Sequence, residues 1–331
     1  MAGADRSPTA VAARPPAAAP GRLGEPAATA VGLGAVYLLW GSTYLGNRIT
    51  LESLSPMVST AGRFLAAGVL VCTVVAVRRG PGRLRLPRAQ WPGVAAGGIL
   101  MVGAGSALLA VGQQYVASGL ASLLVAAMPL WVLLIRLGSG QRPRPAAVAG
   151  VLGGLAGLAL LLVAAPGQGL HLAGMATIVA STMVWALGST LTQRLAVPAD
   201  HLVGTGWQML VGGACVAVAG LFTGEWRDLR PAEVTTRSWL AWLYLMLVCT
   251  VVGFTVYTWL LRRAPLQLVA TYAYVNPVIA VLLGMVVLDE RLTGRQALAG
   301  VVVLASVALV VAVERHRQLR GLPPGTPVTP P

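Results

Sequence analysis

The chain contains no lysine. Its 24 fixed positive charges are all arginines, set against 10 acids and 3 histidines in 331 residues. Without lysine no Walker-type phosphate loop can form. The glycine-rich stretches "GVLGGLAGLALLL" and "GVAAGGILMVGAGSALLA" follow no strand either, so ATP-driven transport by this chain is not supported. No Asp or Glu lies deep in an apolar stretch. A proton-coupled cation antiporter relies on such a membrane carboxylate, so multidrug or cationic-compound efflux is the disfavoured alternative. His171, His201 and His316 sit at the ends of apolar stretches or in the tail, and no acid within a span accompanies them. An intramembrane enzyme would need a clustered base, acid or nucleophile, and the reading is that the chain is not an enzyme. Cys72, Cys215 and Cys249 lie inside apolar runs without metal-type spacing and read as small buried hydrophobes. No metal or other cofactor is implied.

What is present is apolar sequence. Charged residues make up 10% of the chain, against roughly a quarter in soluble domains. Apolar stretches of about 18 to 22 residues recur along its length, enough to cross a bilayer as helices. The fold class is therefore an all-α polytopic membrane protein. Ten transmembrane helices are expected, at about 29–48, 56–77, 92–114, 118–137, 146–165, 172–194, 201–222, 239–261, 266–288 and 296–313. The net charge of +14 could suggest a nucleic-acid partner. The arginines instead lie mainly between the apolar runs, where topology requires them. With the N-terminus inside, about 17 arginines fall on the cytoplasmic side and about 6 on the outer side. That asymmetry places both termini in the cytoplasm and the protein in the plasma (inner) membrane, multi-pass. Residues 1–28, rich in Ala, Pro and Arg, read as a disordered cytoplasmic tail, and 314–331 as a second tail. The first apolar run is too long for a signal-peptide core and ends in "WGSTYLGNR" without a small-x-small site, so it reads as a retained helix.

The chain also matches itself when slid by roughly 145–150 positions. "GST" at Gly41–Thr43 falls on "GST" at Gly188–Thr190, and "TAGRFL" from Thr60 falls on "TGWQML" from Thr205, setting Arg63 against Gln208. Gly105 meets Gly253, Pro129 meets Pro277, and "AAVAGV" at Ala146 meets "QALAGV" at Gln296. The order of matches holds along five spans. Five is odd, so the second copy enters the membrane from the opposite side. The expectation is two inverted five-helix repeats, 29–165 and 172–313, an arrangement common among secondary transporters. Both halves lie in one chain, so a monomer would suffice.

These same residues carry a family resemblance. "LLWGSTYLGNRI" in span 1, Pro56 and Arg63 in span 2, and the closing "NPVIAVLLGMVVLDERLTGRQALAGVVVLASVALVV" resemble the EamA-type branch of the drug/metabolite transporter superfamily, over about residues 30–313. In the first repeat the usual Gly-Glu turn after span 4 is replaced by "RLGSGQRP". The resemblance implies a secondary transporter that moves, and more specifically exports, a small polar metabolite such as an amino acid or related anion or zwitterion. A non-transporting membrane scaffold is the remote alternative.

One ionisable group lies inside a span: Arg63, about seven residues into the second. Facing a cavity, it would attract a carboxylate or phosphate; otherwise it would snorkel or pair with Glu52 or backbone carbonyls. Polar and aromatic residues recur at helical spacing, and in lipid such groups must find partners or a wet cavity. The candidate substrate-binding set is Trp40, Tyr44, Asn47, Arg63, Gln113, Trp185, Gln208, Tyr257, Tyr272 and Asn276. Pro129 and Pro277 each fall about eleven residues into their spans and are expected to kink or gate them, with a neighbour such as Asn276 serving a freed carbonyl.

Overall fold

The computed structural model describes residues 25–140, 145–163, 171–261, 263 and 272–320. Most of the expected tails, the "QRPR" of the turn after span 4 and the start of span 9 lie outside them. Among the described residues the chain is helical throughout, with no strand. The α-helices are α1 Glu25–Gly41, α2 Thr43–Thr50, α3 Pro56–Arg79, α4 Trp91–Ala96, α5 Ser106–Gln113, α6 Ser118–Val125, α7 Met128–Gly138 and α8 Pro145–Val163. They continue as α9 Leu172–Thr192, α10 His201–Thr223, α11 Glu225–Asp228, α12 Thr236–Tyr244, α13 Gly253–Leu261, α14 Tyr272–Leu288 and α15 Gly294–Arg320. Two π-helical segments, Gly97–Gly105 and Leu245–Val252, join α4 to α5 and α12 to α13.

Seven stretches among the described residues are long and apolar enough to cross a bilayer: Ala27–Thr50, Pro56–Arg79, Arg88–Gln113, Ser118–Ile135, Leu172–Thr192, His201–Thr223 and Thr236–Tyr257. They coincide with seven of the ten expected spans. The other three expected spans overlap shorter apolar helical stretches, Val148–Gly157, Val275–Leu288 and Gly294–Ser306. Apolar side chains point outward as well as inward. Val77 and Val286 are 80% exposed and Phe222 89%, a surface that only lipid would cover without penalty.

Local sequence explains where the long helices begin and end. Pro56 occupies the first turn of α3, where its missing N–H is not needed. Asp200 caps α10 by accepting from the Leu202 N–H, and Gly224, at φ +81°, ends it in the left-handed region that glycine enters freely. Thr235 caps α12 through the Ser238 N–H.

Packing joins α3 to α10, α8 to α15, and α6 to α14. Helix α9 lies on α5, α6 and α7, while α1 lies on α13 and α14. The first π-helical segment packs on α10 and the second on α3. Close approach depends on small residues. A Cβ at Gly212 would stand 2.4 Å from the Gly98 carbonyl oxygen, and one at Gly68 would stand 2.9 Å from Leu210 Cγ. In lipid, where burial of apolar area gives helices no reason to associate, such contact is what holds them together.

Candidate functional site

Arg63 sits two turns into α3 and is 7% exposed. It does not snorkel and does not pair with Glu52, whose carboxylate is held by Arg237 at 3.5 Å. Its Nη1 donates to Asn47 Oδ1 at 3.0 Å. Asn47 Nδ2 donates to Gln113 Oε1 at 3.0 Å, and Gln113 Nε2 donates to the Tyr44 carbonyl at 3.1 Å. Every link in this chain points its donor away from the guanidinium, so the positive charge polarises the whole relay in one sense. Arg48 closes it from behind, donating to the carbonyls of Gln113 and Gln114. The relay fixes α2, α3 and α5 against one another. The Phe64 ring lies 4.5 Å from the guanidinium carbon.

Two polar atoms here have no partner: Arg63 Nε and Thr50 Oγ1, both fully buried. Among the described residues no carboxylate pairs with Arg63; the ion pairs are Arg79–Asp200, Arg230–Glu233 and Arg237–Glu52. Arg63 and Thr50 line a small chamber with Asn47, Leu51, Ser59, Thr60, Ala110, Trp242 and Leu245. About 210 Å³ of atom-free space, part of it open to the surroundings, lies between these residues, and the room for a small molecule is on the order of one water. Trp242 Nε1 donates to the Ser59 carbonyl at 2.9 Å and forms one wall. The site is therefore polar, cationic and narrow.

The sequence-derived candidates divide into three groups. Asn47 and Arg63 line the chamber, and Gln113 supports them from behind. Tyr44 contributes its backbone carbonyl to the relay, while its side chain packs on the cluster around Leu124 and Leu130. Trp40, Tyr257 and Tyr272 meet elsewhere: the Trp40 ring centroid lies 4.9 Å from that of Tyr257, 5.0 Å from Tyr272 and 5.5 Å from Phe254. Trp40 Nε1 donates to the Cys249 carbonyl at 3.2 Å. These rings fill the space between α1, α13 and α14. Trp185 stands over Gly105, and Gln208 over Gly97; neither faces the chamber. Asn276 is buried, and the amide orientation that satisfies its surroundings directs its nitrogen to the Tyr37 and Tyr272 carbonyls at 3.3 and 3.1 Å. It serves these, rather than the Ala273 carbonyl that Pro277 deprives of its helical donor.

The two prolines are placed differently. Pro277 lies inside α14. Pro129 lies in the first turn of α7, because the backbone tightens at 126–127, where the Ala127 N–H reaches back to Leu124. In a first turn proline deletes no helical hydrogen bond. The interruption of span 4 therefore precedes its proline. Sequence reading missed Thr50, Ser59, Thr60 and Trp242. The signal was available for the first three: Thr50 is three residues from Asn47, and Ser59 and Thr60 are four and three from Arg63, the spacings that share a helix face.

Seven helices long and apolar enough to cross a bilayer, with a narrow polar chamber among them, mark an integral membrane protein. The comparisons specify the family. The model of the EamA-like transporter family matches residues 29–163 and again 172–312, and the chain belongs to that family. It is 33% identical over 281 residues to the uncharacterized inner membrane transporter YedA of Escherichia coli K12, covering 83% of this chain and 88% of that protein. It is 30% identical over 303 residues to the aromatic amino acid exporter YddG of Ancylobacter novellus, covering 87% and 98%. A solved crystal structure superposes with a TM-score of 0.59 at 26% identity, over 88% of this chain and 99% of that one. The protein is a membrane transporter, not an enzyme.

Proposed function

We propose that the protein is a secondary transporter that exports a small polar metabolite, such as an amino acid or related anion or zwitterion, by alternating access, with both termini in the cytoplasm. Two inverted five-helix repeats would rock about the Arg63 chamber and open it to each side in turn. The double match of one family model supports this reading. So does the packing, whose pairs keep their pattern when each expected span is replaced by the one five later. Helix α3 meets α10, α6 meets α14 and α8 meets α15; the contacts of α1 with α13 and α14 are mirrored by those of α9 with α5 and α6.

The observation that carries the substrate class is the buried, unpaired Nε of Arg63 beside the unpaired Thr50 hydroxyl. A carboxylate accepts from both and supplies the missing counter-charge. A cationic cargo would instead meet the guanidinium with no described carboxylate facing the chamber to offset it. The ring cluster around Trp40, with Tyr257, Tyr272 and Asn276, lies on spans 1, 8 and 9 and would move against the chamber during opening. The test is counterflow in proteoliposomes with labelled aromatic amino acids first, then other amino acids and small carboxylates, and organic cations as the opposing class. Uptake of a carboxylate-bearing solute that disappears in Arg63→Met is expected. Exchange of cations alone, or of carboxylates undiminished in that variant, would overturn the reading.

A further inference from the structure

At the end of the bundle where α3 finishes, the segment between α3 and α4 forms a cationic shelf. Gly80, at φ +89°, turns the chain out of α3, and two 3-10 turns follow, Pro81–Leu84 and Arg88–Gln90. The segment is built rather than loose. The Arg83 N–H donates to the Gly80 carbonyl, the Arg85 N–H to Gly82, and Trp207 Nε1 to the Leu84 carbonyl at 3.0 Å. Arg78, Arg83, Arg85 and Arg88 are exposed and form no ion pair among the described residues. The carboxylate that meets the segment, Asp200, is already taken by Arg79. At the opposite end of α3 the chemistry differs: Glu225 accepts from the Met57 N–H, and Arg237 and Arg230 pair with Glu52 and Glu233.

Two observations set the depth of the shelf. The outward face of α3 carries Val69, Val74 and Val77, exposed at 57%, 44% and 80%, and runs directly into Arg78. Trp91, 37% exposed, stands edge-on to Trp207 with ring centroids 5.2 Å apart. Tryptophan at the limit of an apolar belt marks headgroup level.

We propose that Arg78, Arg83, Arg85 and Arg88 form a binding surface for the phosphates of anionic phospholipids. Guanidinium forks suit phosphate oxygens, and each arginine near an anionic surface favours partition by roughly fivefold. Three of them together are worth roughly a hundredfold.

The test compares the wild type in micelles doped with phosphatidylglycerol or phosphatidylcholine, read by retained lipid in native mass spectra and by thermal melting. Preferential retention of phosphatidylglycerol is expected, lost in about 1 M NaCl, where the screening length is about 3 Å. The variant R83Q/R85Q/R88Q should lose about a hundredfold in that preference. R83K/R85K/R88K should keep most of it, and R227Q/R291Q/R295Q, which removes as much charge at the other end, should leave it unchanged. Should the triple Gln variant fail to fold, Arg85→Gln alone should lower the preference about fivefold. Equal retention of both lipids by the wild type, undiminished preference in the Gln variants, or equal stabilisation by inorganic phosphate alone would overturn the proposal.

Discussion

Replacing Arg63 by methionine separates a functional charge from a structural one. The substitution removes a guanidinium whose burial in a membrane helix costs about 3 kcal/mol on insertion scales. It also removes an unsatisfied Nε–H worth about 2 kcal/mol. Against these it gives up the charged hydrogen bond to Asn47, about 2 kcal/mol, and leaves Asn47 Oδ1 bare for about 2 kcal/mol more. The contact with Phe64 adds about 1.5 kcal/mol to the loss. The balance is a destabilisation of about 0.5 kcal/mol, and methionine's flexible stem fills much of the vacated volume. Ligand binding behaves differently. Truncating one side of a buried charge pair costs about 2–5 kcal/mol, or roughly thirtyfold to several thousandfold in affinity. Arg63→Met should therefore melt close to the wild type while losing carboxylate binding, measured by ligand-dependent thermal shift and by counterflow. A folded variant that keeps its affinity within about threefold would refute the reasoning, since that is below any cost of a lost buried partner. So would a variant destabilised by more than about 4 kcal/mol, because the guanidinium would then be a structural tie.

Three further outcomes follow from other contacts. Thr50→Val removes a buried hydroxyl that has no partner, so it should leave stability unchanged or raise it by about 1 kcal/mol in denaturation, while weakening carboxylate binding. Glu290→Ala should cost about 2–4 kcal/mol and speed hydrogen exchange in the first turn of α6. The Glu290 carboxylate accepts from the Ser118 N–H, the Ser118 hydroxyl and the Gly119 N–H, and both residues are buried. Gly212→Leu, which would drive a side chain into the Gly98 carbonyl, should cost about 3 kcal/mol or more, whereas Gly34→Leu, with nothing within 4 Å of its Cβ position, should be tolerated in the same melting assay.

Much of the helical layout is legible from apolar run length alone, because a bilayer demands long helices whose backbone groups satisfy one another. Pro56, Asp200 and Gly224 sit where helix ends need them. The chamber was legible only in part. Arg63 is conspicuous as an isolated charge in an apolar helix, and Asn47 lies on the stripe that also bears Trp40. What single-chain patterning does not carry is which stripe faces which. Trp40, Tyr257 and Tyr272 have the same amphipathic character as the chamber residues, yet they pack on each other because three aromatic faces fill their own gap. Pro129 misled for a related reason. Proline marks that a helix is interrupted nearby, but the turn at 126–127 precedes it, and Pro129 falls in the first turn of the helix that follows.

The two π-helical segments bear on why the chamber lies on one side only. Gly97–Gly105 and Leu245–Val252 occupy corresponding positions under the same self-alignment that sets Arg63 against Gln208. Each ends beside a glycine faced by a tryptophan: a Cβ at Gly105 would stand 3.0 Å from the Trp185 ring, and one at Gly253 would stand 2.7 Å from Trp40 Nε1. Extended π-helix is rare, and its weaker backbone bonding marks places where a helix can change register. At the start of the second segment Leu245 lines the same chamber as Arg63. At the start of the first, Gly97 is pressed by Gln208, whose Nε2 would lie 2.5 Å from an added Cβ. The same location is hollow in one half and filled in the other. Under the alternating-access cycle proposed above, the two halves would exchange these conditions, with Gln208 leaving Gly97 as Arg63 closes on Leu245. Gly97→Ala tests this step, because its methyl displaces a flexible amide rather than backbone. The variant should remain folded and shift the exposure of engineered cysteines at positions 50 and 192 in opposite directions, and unchanged labelling at both would show that the two segments do not act together.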